Sequence, residues 1–237
     1  PAGGPAPIDP GSVKPIGQND PVVERFLADT ALQALIAATP KASAFDGAEF
    51  DAVFFPGGHG TMWDLPVDDG VTRAVERAFA ANKLIAAVCH GAAGLVTAKR
   101  PDGQSIVKDL RVNSFTDAEE VAVGLEKVVP FMLETRLREL GGRFEGTGNW
   151  QAFAIRDGQL ITGQNPASTA MLAEAGGLEV RGGAGFAGYW GKPEKSAEKM
   201  NSQARDGYRK ERSTKTIRMT GKKLAPHSTH NGSLASR

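Results

Sequence analysis

The chain contains a single cysteine among its 237 residues, and this scarcity excludes several classes of protein. A disulfide framework within the chain requires at least two cysteines, and a lone thiol is typical of a reducing compartment. One cysteine and four dispersed histidines also lack the ligand spacing of a structural zinc site. We therefore expect a cytoplasmic protein that folds without disulfides and without a structural metal.

Long apolar runs are absent as well. No segment approaches the roughly 20 apolar residues that a membrane span requires, so we expect no membrane association. The stretch 1–21 is rich in proline and glycine and lacks the apolar centre of a signal peptide. An initiator methionine is also missing, from which we expect a fragment or a processed product.

The chain has no large excess of charge of either sign, since its formal net charge is +1. The charges are nevertheless distributed unevenly along the sequence. Residues 192–237 carry 12 basic and 4 acidic residues, whereas residues 1–191 carry 16 basic and 23 acidic ones. From Gly176 onward the chain is first glycine-rich and then polar and basic, and we predict that 176–237 is a disordered tail. Non-specific phosphate binding by Lys192–Lys223 is the alternative, but we expect no specific nucleic-acid partner.

Short apolar runs alternate with helical patterns along 1–175, which we predict to be one domain. Alternation of this kind is typical of an α/β fold with a mostly parallel sheet and helices on both faces. The predicted strands are 51–55, 84–88 and 110–115, followed by a hairpin of 151–155 with 159–162. The predicted helices are 22–38, 71–81, a stretch from Cys89 to Ala98, a short helix after Thr116, 131–140 and a last one from Asn165 to Gly176.

The strongest local signal lies where the strand 84–88 runs into Cys89, His90 and Gly91. A nucleophile-type residue between a strand and a helix, with a glycine two positions on, is typical of a nucleophile elbow. The positive end of the following helix predicts a lowered thiol pKa and a solvent-open, ionised Cys89. His90 is a candidate base. The alternatives are a buried core cysteine and a histidine that contributes only its backbone.

A second glycine-rich loop, Pro56–Gly60, follows the preceding strand. The carboxyl ends of parallel strands share one sheet edge, so Gly57 and Gly58 are predicted to present N–H groups as part of an oxyanion hole. His59 and Trp63 are candidates for lining the same pocket. A plain turn is the alternative interpretation.

Two acids, Glu119 and Glu120, follow the predicted strand that ends at Phe115. A carboxylate at this position is expected to reach the same edge and orient His90. The alternative is a pair of solvated acids at a helix start, where the helix dipole favours negative charge.

Four segments together resemble the Hsp31-like branch of the DJ-1/PfpI superfamily, often described as type 1 glutamine amidotransferase-like. They are Phe54–Gly60, Ala87–Gly91, Phe115–Glu120 and Ile161–Ser168. The resemblance covers roughly residues 3–175 and implies a flavodoxin-like three-layer sandwich. It implies that Cys89 is the nucleophile, His90 its neighbour and Glu120 the acid that completes a triad, with Glu119 as the fallback acid.

The same resemblance implies a glutathione-independent glyoxalase of the glyoxalase III type, which converts methylglyoxal to lactate through a hemithioacetal on the cysteine. The expected partner is therefore a small α-oxoaldehyde, with no metal or organic cofactor, and members of the family are commonly homodimers. Chaperone holdase, protein deglycase and amidotransferase or peptidase activity remain open as alternatives.

The sequence departs from the family pattern at both ends. Family members begin with an apolar strand and with a helix that supplies an acid next to the cysteine, and neither is present before Pro21. We therefore expect an N-terminally incomplete domain that lacks one general base. The tail after Gly176 also differs from the closing helix of the family.

Overall fold

The computed structural model describes residues 1–176 and the backbone of two short strands, Arg181–Gly182 and Gly185–Phe186, which pair with each other. Apart from Gly176 and these two strands, the tail that is predicted to be disordered, 176–237, lies outside the described residues. No helix within 1–176 combines the length and the apolar character that a bilayer crossing needs.

The N-terminal region forms two short helices where the sequence predicts one. Helix α1 spans Pro21–Ala28, with Asp20 as its N-cap, and α2 spans Thr30–Ala37. Asp29 causes the break, because its carboxylate accepts the backbone N–H groups of Ala31 and Leu32 at 3.0 Å and so caps a new helix. Neither helix contains a buried residue.

A four-stranded sheet forms the centre of the domain, in the order β1 (Ala52–Phe55), β2 (Leu84–Val88), β6 (Leu160–Gly163) and β5 (Ala154–Asp157). The first two pairings are parallel and the hairpin pairing of β5 with β6 is antiparallel. These strands confirm the predicted mostly parallel α/β sheet with one hairpin.

Helices cover both faces of this sheet, which makes the three layers of the predicted sandwich. Alternate residues of β2 point to opposite sides: Ile85 and Ala87 belong to a core that includes helix α4 (Asp69–Ala80), whereas Ala86 and Val88 pack with Leu172 of helix α7 (Thr169–Gly176). A strand buried on both faces explains why the run 84–88 carries no polar residue.

The predicted strand 110–115 is wrong in its extent. Only β3 (Arg111–Val112) forms, and it pairs with β4 (Arg143–Phe144) in a separate two-stranded sheet. Both edges of β6 are occupied, by β2 and by β5, so this segment does not join the central sheet beside β6. Beyond β3, the backbone N–H of Asn113 is bonded to the side chain of Thr162 instead of to a strand.

The remaining helices are short. They are α3 (Thr61–Asp64), α5 (Asp117–Val123) and α6 (Leu133–Glu139). Short 3₁₀ helices occupy Pro10–Ser12, Ala42–Ala44, Gly47–Glu49, Leu65–Val67 and Pro166–Ser168. The segment after β2 is also a 3₁₀ helix, Cys89–Leu95, and it ends before the predicted Ala98.

Candidate active site

Cys89 occupies a sharp turn between β2 and the 3₁₀ helix that follows. Its backbone has a φ of 58°, in the left-handed region that side chains other than glycine rarely adopt. The backbone of Gly91 lies so close to β1 that a Cβ atom there would collide with the carbonyl oxygens of Phe55 and Pro56. The strained turn and the close packing are the geometry of a nucleophile elbow.

Three hydrogen-bonding groups face the sulfur of Cys89. The Nδ1 atom of His90 lies 3.3 Å from Sγ, and the backbone N–H groups of His90 and Gly58 also point at it. Gly58 has a φ of 116°, which only glycine adopts without strain, and this conformation presents its N–H to the site. The Pro56–Gly60 loop therefore meets the elbow, with Gly57 in contact with the cysteine: a Cβ atom there would lie 3.3 Å from Sγ.

The prediction of an ionised, solvent-open thiol is wrong. Cys89 is buried, with 6% of its surface exposed, and burial raises the pKa of its thiol to about 12. The N–H groups of His90 and Gly58 oppose this shift, while the nearby carboxylates of Glu119 and Glu120 add to it. Desolvation outweighs the short helix that follows, because a charge buried in apolar surroundings is costly.

Glu120 joins two imidazole rings. Its Oε2 atom lies 2.7 Å from Nε2 of His90, and its Oε1 atom lies 2.9 Å from Nε2 of His59. Glu120 and His90 are buried, whereas the side chain of His59 is 35% exposed. The two imidazole rings lie with their centroids 4.0 Å apart and their planes tilted by 40°. The line of contacts therefore runs from the buried thiol of Cys89, through His90 and Glu120, to a histidine at the surface.

The carboxylate fixes the tautomer of His90. An ionised carboxylate only accepts hydrogen bonds, so the ring proton of His90 resides on Nε2 and the lone pair of Nδ1 faces the thiol. Burial lowers the pKa of His90, against the opposing effect of the hydrogen bond to Glu120, so the ring is neutral at rest. A neutral thiol thus faces a neutral base that is able to take its proton.

Glu119 has different partners from Glu120. It is fully buried, and its carboxylate accepts hydrogen bonds from the backbone N–H and the hydroxyl of Thr116. It also accepts hydrogen bonds of 2.8 Å from the backbone N–H of Trp150 and from the side-chain amide of Asn165. Burial alone would raise its pKa, but these hydrogen bonds together with one from Gln164 lower it. Glu119 makes no hydrogen bond to His90 within residues 1–176. Together with Thr116 it forms a capping box at the start of α5.

Two aromatic residues that sequence reasoning did not single out for the site lie beside these histidines. The ring of Phe115 lies 4.4 Å from that of His90, and Trp150 packs on Phe115 at 5.7 Å. Trp150 is about half exposed and has a φ of 65°, a conformation for which its sequence context offers no signal. Trp63, predicted to line the pocket, is about half exposed on α3 and has no ring contact with either histidine in the described part of the chain.

Among the described residues, His59, His90 and Glu120 also form a group that is able to hold a metal ion, because one ligand atom from each lies within 4.8 Å of the others. The sequence spacing gives no sign of this grouping, since 61 positions separate His59 from Glu120. Cys89 is outside this group of ligand atoms and contacts the opposite edge of the His90 ring.

Comparison with known proteins agrees with this architecture. A solved structure of the Rapid Encystment Protein from Francisella tularensis is 40% identical, with a TM-score of 0.69 over 73% of this chain and 76% of that one. The structure of glyoxalase III from Candida albicans is 26% identical, with a TM-score of 0.62 over 71% of this chain and 73% of that one.

Among curated proteins, the glutathione-independent glyoxalase hsp3101 of Schizosaccharomyces pombe is 33% identical over 135 residues, which are 54% of this chain and 55% of the relative. The chain spans 63% and 59% of the lengths of two further fungal relatives. The model of the DJ-1/PfpI family matches residues 24–176, more than half of the chain. With the elbow, the glycine loop and the sheet in place, the chain belongs to the DJ-1/PfpI family.

Proposed function

We propose that this protein is a glutathione-independent glyoxalase that converts methylglyoxal, or a similar small α-oxoaldehyde, to the 2-hydroxy acid. The observation that carries the proposal is the continuous line of hydrogen bonds from Sγ of Cys89 through His90 to Glu120. It supplies a nucleophile, a base and a carboxylate that orients the base. Relatives named as glutathione-independent glyoxalases support the same assignment.

The first step is addition of the thiol to the aldehyde carbon. As the S–C bond forms, the proton of the Cys89 thiol moves to Nδ1 of His90, and the carboxylate of Glu120 stabilises the imidazolium. The backbone N–H groups of Gly58 and His90, which point at Sγ at rest, are next to the new S–C bond and in our proposal donate to the oxyanion as it develops. His90 then returns the proton to this oxygen, which yields a neutral hemithioacetal.

The second stage moves a proton between the two substrate carbons. Neutral His90 removes the proton from the former aldehyde carbon, the electron pair left behind forms the double bond of an enediol, and the imidazolium gives its proton to the ketone oxygen. His90 then takes the hydroxyl proton on the first carbon as that oxygen becomes a carbonyl, and the second carbon gains this proton from the imidazolium, which gives a thioester of lactate. Water adds to the thioester carbonyl, the C–S bond breaks, and Cys89 regains its proton, so the net change is the addition of one water.

The test compares the wild-type protein with Cys89→Ser in methylglyoxal without glutathione. We expect the wild-type protein to produce lactate and the variant to lose that activity completely.

A holdase chaperone is the second candidate, favoured by exposed apolar residues such as Leu35 and Val67, which are 67% and 77% exposed. Suppression of client aggregation that Cys89→Ser leaves intact, together with no lactate from the wild-type protein, would favour the chaperone and overturn the glyoxalase.

We further propose a homodimer located in the cytoplasm. The exposed apolar side chains of α1 and α2, among them Val22, Leu32 and Leu35, offer a surface for a second copy. Light scattering after gel filtration should give twice the chain mass for the wild-type protein and the monomer mass for Leu35→Glu. A wild-type monomer would contradict the dimer. The proposed location is supported by the single free thiol, which is typical of a reducing compartment, and cell fractionation tests it.

A further inference from the structure

His59 has no place in the steps above, yet it is bonded directly to the acid of the candidate triad. Its Nε2 atom and that of His90 approach the two oxygens of the same carboxylate, at 2.9 and 2.7 Å. The side chain of His59 is 35% exposed, so this end of the network is open to small ions from solvent. Two imidazole nitrogens and one carboxylate thus converge on one point near the surface.

This donor set is suited to a zinc ion. Two histidines and a glutamate are a common protein ligand set of open zinc sites, with bonds of about 2.0–2.2 Å and a fourth position left for water. Ligand atoms around a tetrahedral ion with such bonds lie roughly 3.4 Å apart. The observed separations therefore need to widen, by about 0.5 Å between His59 and Glu120 and by about 0.7 Å between His90 and Glu120. Half-buried His59, in the loop before α3, is placed to supply the first change, and rotation of the Glu120 carboxylate the second.

We propose that His59, His90 and Glu120 form a binding site for Zn²⁺ that competes with the proton network of the active site and switches it off. The binding itself is independent of the proposed function, whereas the loss of turnover rests on it. No bond to sulfur is involved, because the Cys89 thiol contacts Nδ1, on the far side of the His90 ring from Nε2.

Binding changes what His90 presents to the thiol. When Zn²⁺ occupies Nε2 of a neutral imidazole, the ring proton moves to Nδ1, and the ring stays neutral. His90 then offers Cys89 an N–H instead of a lone pair and no longer accepts the proton of the thiol. Glu120 is also committed to the ion and ceases to stabilise an imidazolium.

Calorimetric titration of the full chain with ZnCl₂ tests the binding. We expect one Zn²⁺ per chain in the wild-type protein and in Cys89→Ser, and an affinity at least about tenfold weaker in His59→Ala and Glu120→Gln, each of which lacks one ligand. The matched control is the double variant His227→Ala/His230→Ala, which removes the other two histidines and should bind as the wild type does.

Unchanged affinity in His59→Ala would overturn the site, and so would binding that disappears in Cys89→Ser or in the control double variant. Thermal unfolding of each variant verifies that it is folded, and His59→Gln provides a second substitution that keeps a polar side chain. Co²⁺ in place of Zn²⁺ gives a separate signal: visible d–d bands without a thiolate charge-transfer band are expected, and a thiolate band would contradict the ligand set.

Turnover separates this proposal from the proposed function. Zn²⁺ at saturation should abolish lactate formation by the wild-type protein, and a chelator should restore it. If Zn²⁺ binds as described but the metal-free protein forms no lactate, the glyoxalase assignment fails and the site stands. If lactate forms equally with the site saturated, inhibition through this site is refuted.

Discussion

At the residue scale, the reactivity of Cys89 depends on where its proton goes. Many reactive cysteines are ionised at rest, but burial of this thiol raises its pKa to about 12 and keeps it protonated at neutral pH. In the proposed mechanism His90, neutral and bonded to Glu120, receives the proton during attack. The mechanism therefore depends on an acid–base pair that acts during the reaction, and not on a preformed thiolate.

The pKa of the thiol gives the first prediction. Alkylation of Cys89 by iodoacetamide in the folded protein should be slow at pH 7 and should still be rising above pH 9, because the thiolate fraction grows only toward a pKa of about 12. The same protein in denaturant serves as the control and should titrate near the ordinary value of 9.0. Rapid labelling of folded protein with a midpoint below pH 7 would contradict a buried neutral thiol.

The lowered pKa of His90 gives the second prediction. Catalysis by this base requires the neutral ring, and its pKa lies below the ordinary 6.5 because of burial. The acid side of the pH profile of kcat/KM for methylglyoxal should therefore fall below pH 6.5, with full activity retained as the pH is lowered to that value. A profile that already declines between pH 8 and 7 would argue against His90 as the base.

At the scale of elements, helix α5 carries two neighbouring acids with separate tasks. Glu119 ties the helix start to Trp150 and Asn165, whereas Glu120 holds the two imidazoles. The capping box accounts for the difference, because it turns Glu119 back toward Thr116.

Substitution by glutamine distinguishes these tasks. Glu119→Gln should lower the free energy of unfolding by about 2–3 kcal/mol, because the new amide faces donors instead of accepting them. The pKa of Glu119 is lower in the folded protein than its ordinary 4.5, so the ionised carboxylate stabilises the fold above pH 4.5. This stabilisation is lost as the pH falls through the pKa of the folded state, and Glu119→Gln should remove that pH dependence. Glu120→Gln should instead lower kcat/KM by about 10²–10⁴. Chemical denaturation at pH 4 and 7 with parallel kinetics measures both, and equal effects of the two variants would refute the division of tasks.

The elbow gives a further prediction at this scale. Gly91→Ala would drive a Cβ atom into the backbone at the end of β1, against the carbonyl oxygen of Phe55 and that of Pro56, which lies 2.7 Å from its position. We therefore expect a loss of about 1–3 kcal/mol in the free energy of unfolding and loss of activity. Gly60→Ala is the matched control, because nothing lies within 4 Å of a Cβ there and its φ is −53°. A stable, active Gly91→Ala would show that the close approach is dispensable.

At the scale of the whole molecule, the sequence predicts the elements that local patterns determine. The strands β1 and β2, the hairpin around Gly158 and the cap of α5 follow from apolar runs, turn residues and a capping box. The short extent of β3 does not follow, because it depends on the strand with which this segment pairs, which is β4 in a separate sheet. Contacts of this kind join distant parts of the chain and leave no local pattern.

The same distinction applies to the site. Cys89 and His90 are recognisable because the elbow is local. Glu120 is predicted to reach His90 from the end of a strand 110–115, and it does reach His90 although only β3 forms and lies in a separate sheet. The burial of the thiol, the contact between His59 and Glu120 and the position of Trp150 beside Phe115 arise from packing between the loop 56–60, helix α5 and the segment 147–150. The sequence therefore predicts which side chains meet better than it predicts how their pKa values shift.

The most direct test of the central claim is lactate formation from methylglyoxal, without glutathione, by the metal-free chain and by Cys89→Ser and Glu120→Gln. We predict steady turnover by the wild-type protein, none by Cys89→Ser and a rate reduced by about 10²–10⁴ in Glu120→Gln. Absence of lactate from folded wild-type protein, or turnover that persists without the cysteine, would contradict the account.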